Sequence, residues 1–326
     1  MSFGSYVNAY LRTSRSEYLL AEIPGLLAIF FIGASSLSRL LAPVVWEGVA
    51  VFVLLYFMGF MINAYTDQEI DRKYTIFKNK IPDAVAQIGQ RNMRALIAGQ
   101  IAGAFAITAH ISYVMGSWLP LALVAVGTFF GVGYSIPPFK FKVRGWLHAV
   151  SLTISAFLVP AIFILFTIAG TVAVAPLIIV LGFSILHYGI AFANQAIDYL
   201  EDKAGGVKSP PVRWGMENSL RIALVTIFIG MAVEFVGLYY FIAPGPAAVA
   251  GISGMPLVLI MIPVLLVGYY IPVSGLYKMY RAVLSRPIEE AIGYMKDICH
   301  YNQWQASGVM GLMFAMGIVF FGTMVL

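Results

Sequence analysis

Long apolar blocks alternate with short polar stretches along this chain. A membrane-spanning helix needs about 20 mostly apolar residues, and nine such blocks are present, at about 17–38, 46–65, 92–115, 119–135, 147–169, 174–195, 218–242, 252–276 and 304–326. The pattern predicts an all-α fold, a polytopic membrane bundle of about nine transmembrane helices.

Nine spans divide the connections into two sets. Residues 1–16, 66–91, 136–146, 196–217 and 277–303, with the adjoining helix ends, hold every Lys and Arg except Arg39. Cytoplasmic loops carry the positive excess, so the N-terminus is expected in the cytoplasm and the C-terminus outside. The opposite connections are short, the last being the Gly/Pro-bearing segment 243–251. A multi-pass protein of the cell membrane, with its functional side facing the cytoplasm, is the expectation.

Composition agrees: 60% of the 326 residues are apolar and 11% charged, against about a quarter charged in soluble domains. The net charge of +5 is spread over several loops. It reads as orientation bias and attraction to anionic headgroups, and no nucleic-acid partner is expected. Cys299 is the single cysteine, which excludes a disulfide framework and a cysteine metal site. The N-terminal segment lacks a short apolar core ending in a cleavage site, so the first span is expected to be retained.

The polar loops after the second and sixth spans open alike. One carries Asn63, Asp67 and Asp71, the other Asn194, Asp198 and Asp202, each as N-x-x-x-D-x-x-x-D and 131 residues apart. This reads as one domain, 1–326, made of a tandem four-helix repeat (about 17–135 and 147–276) plus an extra helix at 304–326. An even number of helices per unit brings both motifs to one membrane face. Residues four apart on a helix share a face about 6 Å apart along its axis, so each triplet makes a polar stripe at a helix end. Four carboxylates and two amides are hard oxygen ligands suited to Mg²⁺ with phosphate oxygens. A single such motif would be equally well explained as solvated helix-end acids; its recurrence argues for a shared site. Between spans four and five, Pro137 and Pro138 stiffen a loop bearing Lys140, Lys142 and Arg144, and lysines there would meet phosphate oxygens as point charges.

The doubled Asn/Asp motif together with Y-S-x-P-P-x-x-x-K at 134–142 resembles the UbiA superfamily of intramembrane prenyltransferases, over most of the chain. The resemblance implies nine helices with a site at the cytoplasmic side. It also implies that Asn63, Asp67, Asp71, Asn194, Asp198 and Asp202 hold Mg²⁺ and diphosphate, and that Lys142, helped by Tyr134, binds diphosphate. Segment 203–215 resembles the stretch following the family's second motif, which adds Lys203, Lys208 and Arg213; Arg72 and Lys140 are further basic candidates. Many members have an Arg-Pro-rich run after the first motif. Here Arg72, Lys73 and Tyr74 are followed by Lys80, Ile81 and Pro82.

The activity so implied is Mg²⁺-dependent transfer of a prenyl group from an isoprenyl diphosphate donor to a hydrophobic acceptor within the bilayer, by way of an allylic cation. Competing readings are a prenyl diphosphate hydrolase or cyclase that uses no acceptor, and a divalent-cation transporter. The transporter fits less well, because its polar residues would mark a path from both faces. Within the spans, His187 lies seven residues before Asn194 and is expected to line the acceptor pocket. His110 and Glu234 are expected in interhelical hydrogen bonds, and His148 and His300 are assigned no role.

Overall fold

The computed structural model describes residues 2–72, 81–243, 248–249 and 251–324. Helix α1 (Phe3–Thr13) is followed by α2 (Leu19–Gly33), the single turn α3 (Leu37–Leu40) and α4 (Pro43–Thr66). Two short helices, α5 (Gln68–Asp71) and α6 (Ile81–Ile88), precede α7 (Gln90–Met115) and α8 (Leu119–Ser135). The next crossing joins α9 (Trp146–Leu152), a π-helical stretch over Thr153–Leu158, and α10 (Val159–Ala169). Then come α11 (Val174–Ile197), α12 (Tyr199–Ala204), α13 (Pro210–Trp214), α14 (Met216–Ile242), α15 (Met255–Ser285), α16 (Ile288–Ile298) and α17 (Tyr301–Met324). A two-residue antiparallel pairing sets Val249 opposite Ile252 before α15.

Among the described residues, eight helical segments are long and apolar enough to cross a membrane, and α8 is a further apolar helix of 17 residues. The protein is a multi-pass membrane protein. The predicted spans recur with shifted ends: α15 continues to Ser285, carrying Lys278 and Arg281 on its last turns. No Gly or Pro interrupts residues 276–285, so the helix continues after the apolar run ends and stops just ahead of Pro287.

Helix α11 is the central element, with 67% of its apolar window buried against 28–50% for the other spans. In an apolar surround, helices gain from close backbone approach rather than from hiding apolar surface, and glycines supply it here. A Cβ on Gly182 of α11 would lie 2.4 Å from the backbone nitrogen of Glu234 in α14; one on Gly230 would lie 2.5 Å from that of Leu186, and one on Gly237 2.6 Å from that of Ile179. On the other flank, Gly268 of α15 meets Gly311 of α17 with similar closeness. Helix α17 is thereby locked between α15 and α2, where Phe31 packs on Phe320 and Phe321. Arg39 lies at the opposite end of the bundle from the two motifs, and its Nε donates to the Ile168 carbonyl at 2.5 Å, which satisfies an orphan group at the end of α10. His110 Nδ1 stands 2.9 Å from Glu47 Oε2, joining α7 to α4, and Glu234 is buried beside Tyr269 of α15. The interhelical hydrogen bond expected for His110 is therefore present, and Glu234 meets Tyr269 where α14 packs on α15.

Gly230→Ala is expected to destabilise the bundle by about 1–3 kcal/mol, the cost of forcing a methyl into close packing. Gly99→Ala, on α7 with no atom within 4 Å of the added Cβ, should be neutral or slightly stabilising. Thermal unfolding in detergent, followed by circular dichroism, compares the two.

Candidate active site

Helices α4 and α11 are both 24 residues long, and each ends on the middle aspartate of a motif. Asp67 has φ −102° and ψ 6°, and Asp198 has φ −91° and ψ 7°, so the two chain breaks have nearly the same shape. The motifs are thus not straight helical stripes. The long helix stops, the aspartate occupies the bridge conformation common in active sites, and the second aspartate rides on a separate short helix, Asp71 on α5 and Asp202 on α12. The spacing survives the break because Asp71 N–H still donates to the Asp67 carbonyl and Asp202 N–H to that of Asp198, both at 2.8 Å.

The loop after α8 closes over the end of α4. Its Lys140 has φ 39°, an uncommon conformation for a side-chain-bearing residue, and it leads into a tight turn over Phe141–Val143. Phe141 is buried against Phe130 and Gly133, which anchors the turn and aims Lys142 inward. Lys142 Nζ forms an ion pair with Asp67 and donates to Asn63 Oδ1 at 3.3 Å; Ser135 Oγ donates to the same oxygen at 3.2 Å. Burial lowers the Lys142 pKa, and the neighbouring Asp67 opposes that shift.

The second motif carries as many acids as the first: Asp198, Glu201 and Asp202 fall within five residues, as do Asp67, Glu69 and Asp71. Burial, then the carboxylates of Asp202 and Glu201, push the Asp198 carboxyl up to about 7, while Lys296 and Arg15 act in the opposite sense. Lys296 of α16 reaches across to Glu201 Oε1 at 2.6 Å. Among the described residues, no three Asp, Glu, His or Cys side chains stand close enough to hold a metal ion by themselves. The donor set nevertheless suits Mg²⁺, which keeps waters and shares phosphate oxygens rather than demanding a protein cage.

Asn63 and Asn194 line the same cavity, of about 290 Å³, between α2, α4, α8, α10, α11 and α17. Phe52, Leu55, Phe157 and Phe163 form much of its apolar wall. Tyr134 lines it too, its hydroxyl 2.9 Å from His148 Nε2; Gln195 Nε2 lies 3.2 Å from that same nitrogen. Arg15, Glu22, Tyr56 and Tyr301 complete a polar portion.

The sequence-predicted residues divide accordingly. Asn63, Asn194 and Tyr134 line the cavity, and Lys142 and Asp67 meet beside it. Lys203 is exposed and lies over the Tyr199 ring, while Arg72 and Lys208 are exposed. Arg213 is exposed and rests on Gly145, where φ is +63° and a Cβ would lie 2.8 Å from its Nη1, so segment 203–215 touches the Lys142 loop. Lys73, Tyr74 and Lys80 lie outside the described residues. His187 does not line the cavity. It is buried between Phe157 and Phe183, its Nδ1 2.9 Å from the Phe183 carbonyl, because seven residues along α11 set it two turns deeper than Asn194. Sequence reasoning missed Arg15 and Glu22, and it set aside His148, which is 4% exposed beside Tyr134. A Glu inside an apolar span was the available signal for Glu22.

Comparison with known proteins accords with this architecture. The model of the UbiA prenyltransferase family matches residues 23–270, and the chain belongs to that family. The bacteriochlorophyll synthase 34 kDa chain of Chloroflexus aurantiacus is 25% identical over 229 residues, covering 67% of this chain and 66% of its own length, just under two thirds. A UbiA homolog from Archaeoglobus fulgidus has the same fold: its structure bound to DMAPP and Mg²⁺ superposes with a TM-score of 0.59 at 18% identity over 92% of this chain and 98% of that one. Its GPP and Mg²⁺ complex gives 0.60 at 17% identity, covering 93% and 99%.

Lys142→Met removes the partner of a largely buried carboxylate, which is costly. The variant is expected to melt at lower temperature than the wild type in EDTA, with the gap narrowing in millimolar Mg²⁺. Paired melts with and without the metal read this out.

Proposed function

We propose that the protein catalyses Mg²⁺-dependent transfer of a prenyl group from an isoprenyl diphosphate to a lipophilic or aromatic acceptor within the membrane. The observation that carries this reading is that the asparagines of both Asn/Asp motifs line one apolar-walled cavity, with Lys142 and Asp67 paired beside it. Asn63, Asp67, Asp71, Asn194, Asp198 and Asp202 would hold Mg²⁺ through hard oxygens, and the bound ion would neutralise charge on the departing diphosphate. The Archaeoglobus homolog bound to DMAPP or GPP with Mg²⁺ supports both the metal and the donor class.

The chain's own groups do the rest in this reading. Lys142 shifts from Asp67 toward the diphosphate and stabilises the negative charge that develops as the allylic C–O bond opens. Arg15, on the cavity wall and within electrostatic reach of Asp198, adds a second fixed cation. Phe52, Leu55, Phe157 and Phe163 keep water from the allylic cation until the acceptor attacks. The excess of Lys and Arg on the loops at the motif end supports a cytoplasmic site in the cell membrane. The matching ends of α4 and α11 support two four-helix units in a single domain.

Purified protein in detergent, given geranylgeranyl diphosphate and a panel of acceptors, is expected to release diphosphate only with Mg²⁺ and to prenylate at least one acceptor. Asp67→Ala and Asp198→Ala should each lower kcat on the order of a hundredfold or more. Unchanged turnover in either variant, or in EDTA, would overturn the assignment, and release without any prenylated product would indicate a hydrolase or cyclase.

A further inference from the structure

Glu22 is out of place by the rules of an apolar bundle. It sits in the first turn of α2, within a span, and lines the main cavity. It also borders a smaller apolar annex with Gly25, Leu26, Ile29 and Phe183. An ionisable side chain there is costly unless paired. Among the described residues none donates a hydrogen bond to its carboxyl and none forms an ion pair with it. Two of the other polar groups on this wall make contacts of their own. Tyr301 Oη accepts from Gln305 Nε2 at 2.7 Å. The Arg15 guanidinium lies over the rings of Tyr18 and Phe60, 5.7 Å from each centroid, and its charge acts on Asp198. The cavity therefore has two polar regions of opposite need, motif acids that call for cations and a lone carboxyl that calls for a hydrogen-bond donor.

We propose that Glu22 is the acceptor-recognition group of this cavity, and that the acceptor is a neutral, lipophilic molecule offering a hydroxyl to it. The inference rests on the prenyl-transfer reading above and narrows its acceptor class. A hydroxyl both donates and accepts, so it satisfies Glu22 whether the carboxyl is ionised or protonated. An acceptor whose polar head is a carboxylate sets a second acid against the first in a low-dielectric enclosure, which only a shared proton relieves. The apolar walls around Glu22 take the acceptor's hydrocarbon portion, and the tyrosines Tyr18, Tyr56 and Tyr301 flank its polar head.

The test uses the full chain in detergent, with Mg²⁺ and the non-ionising donor geranylgeranyl thiolodiphosphate, titrated with the matched probes 4-decylphenol and 4-decylbenzoate. Wild type is expected to bind the phenol about tenfold or more tightly than the benzoate, the scale of one hydrogen bond to a charged group. Glu22→Leu should lose that affinity for the phenol. Glu22→Gln, nearly isosteric and so a safeguard against misfolding, should keep the phenol and gain the benzoate, with donor affinity unchanged in both. Equal or tighter benzoate binding by wild type, binding of neither probe, or a Glu22→Gln preference within twofold of wild type overturns the proposal. Loss of Mg²⁺-dependent donor binding in wild type is a separate outcome that overturns the prenyl-transfer reading itself, since the probes are also titrated without donor.

Discussion

Everything at the motif end of this molecule follows from the ion pair between Lys142 and Asp67. A helix that terminates against apolar neighbours exposes carbonyls and carboxylates that water cannot reach, and α4 resolves this by borrowing a cation from the loop after α8. That loan fixes the loop. Ser135 and Lys142 converge on one amide oxygen of Asn63, so the end of α8 and the end of α4 are tied at a single atom. The end of α11 is held from another direction. Its acids draw on Lys296 from a different helix, α16. Two chain breaks of nearly the same backbone shape are therefore served by different lysines, one from a loop and one from a helix.

The central packing supports this asymmetry. Glycines on α11 and α14 bring two backbones together without side chains between them, which leaves the bulky aromatics of the neighbouring helices to line space instead of filling it. The cavity and the tight seam are complementary uses of the same helix.

Much of this could be read from the sequence because its signals are local. Apolar block length defined the spans, and a repeated N-x-x-x-D-x-x-x-D needed no structure to be seen. What could not be read was which neighbours each part of a crossing packs against, or where a helix stops. His187 shares a helix with Asn194 yet faces an aromatic pocket, whereas His148, from a different crossing, meets Tyr134. The break at Asp67 and Asp198 was invisible because the hydrogen bonds that continue beyond it preserve helical spacing. Glu22 was masked by its apolar flanks, which make it look like a tolerated exception inside a span.

The π-helical stretch over Thr153–Leu158 carries one residue more per turn than its flanks and contributes Ser155, Ala156 and Phe157 to the cavity wall. A register of that kind is metastable to length, not to chemistry. Deleting one residue within it would let the helix revert to α and swing everything on one side by about 100°, exchanging the cavity-facing side chains for their neighbours in a single event. Diversification of the pocket is thus open to insertions and deletions in the gene, a route that bypasses the stepwise replacement of individual wall residues.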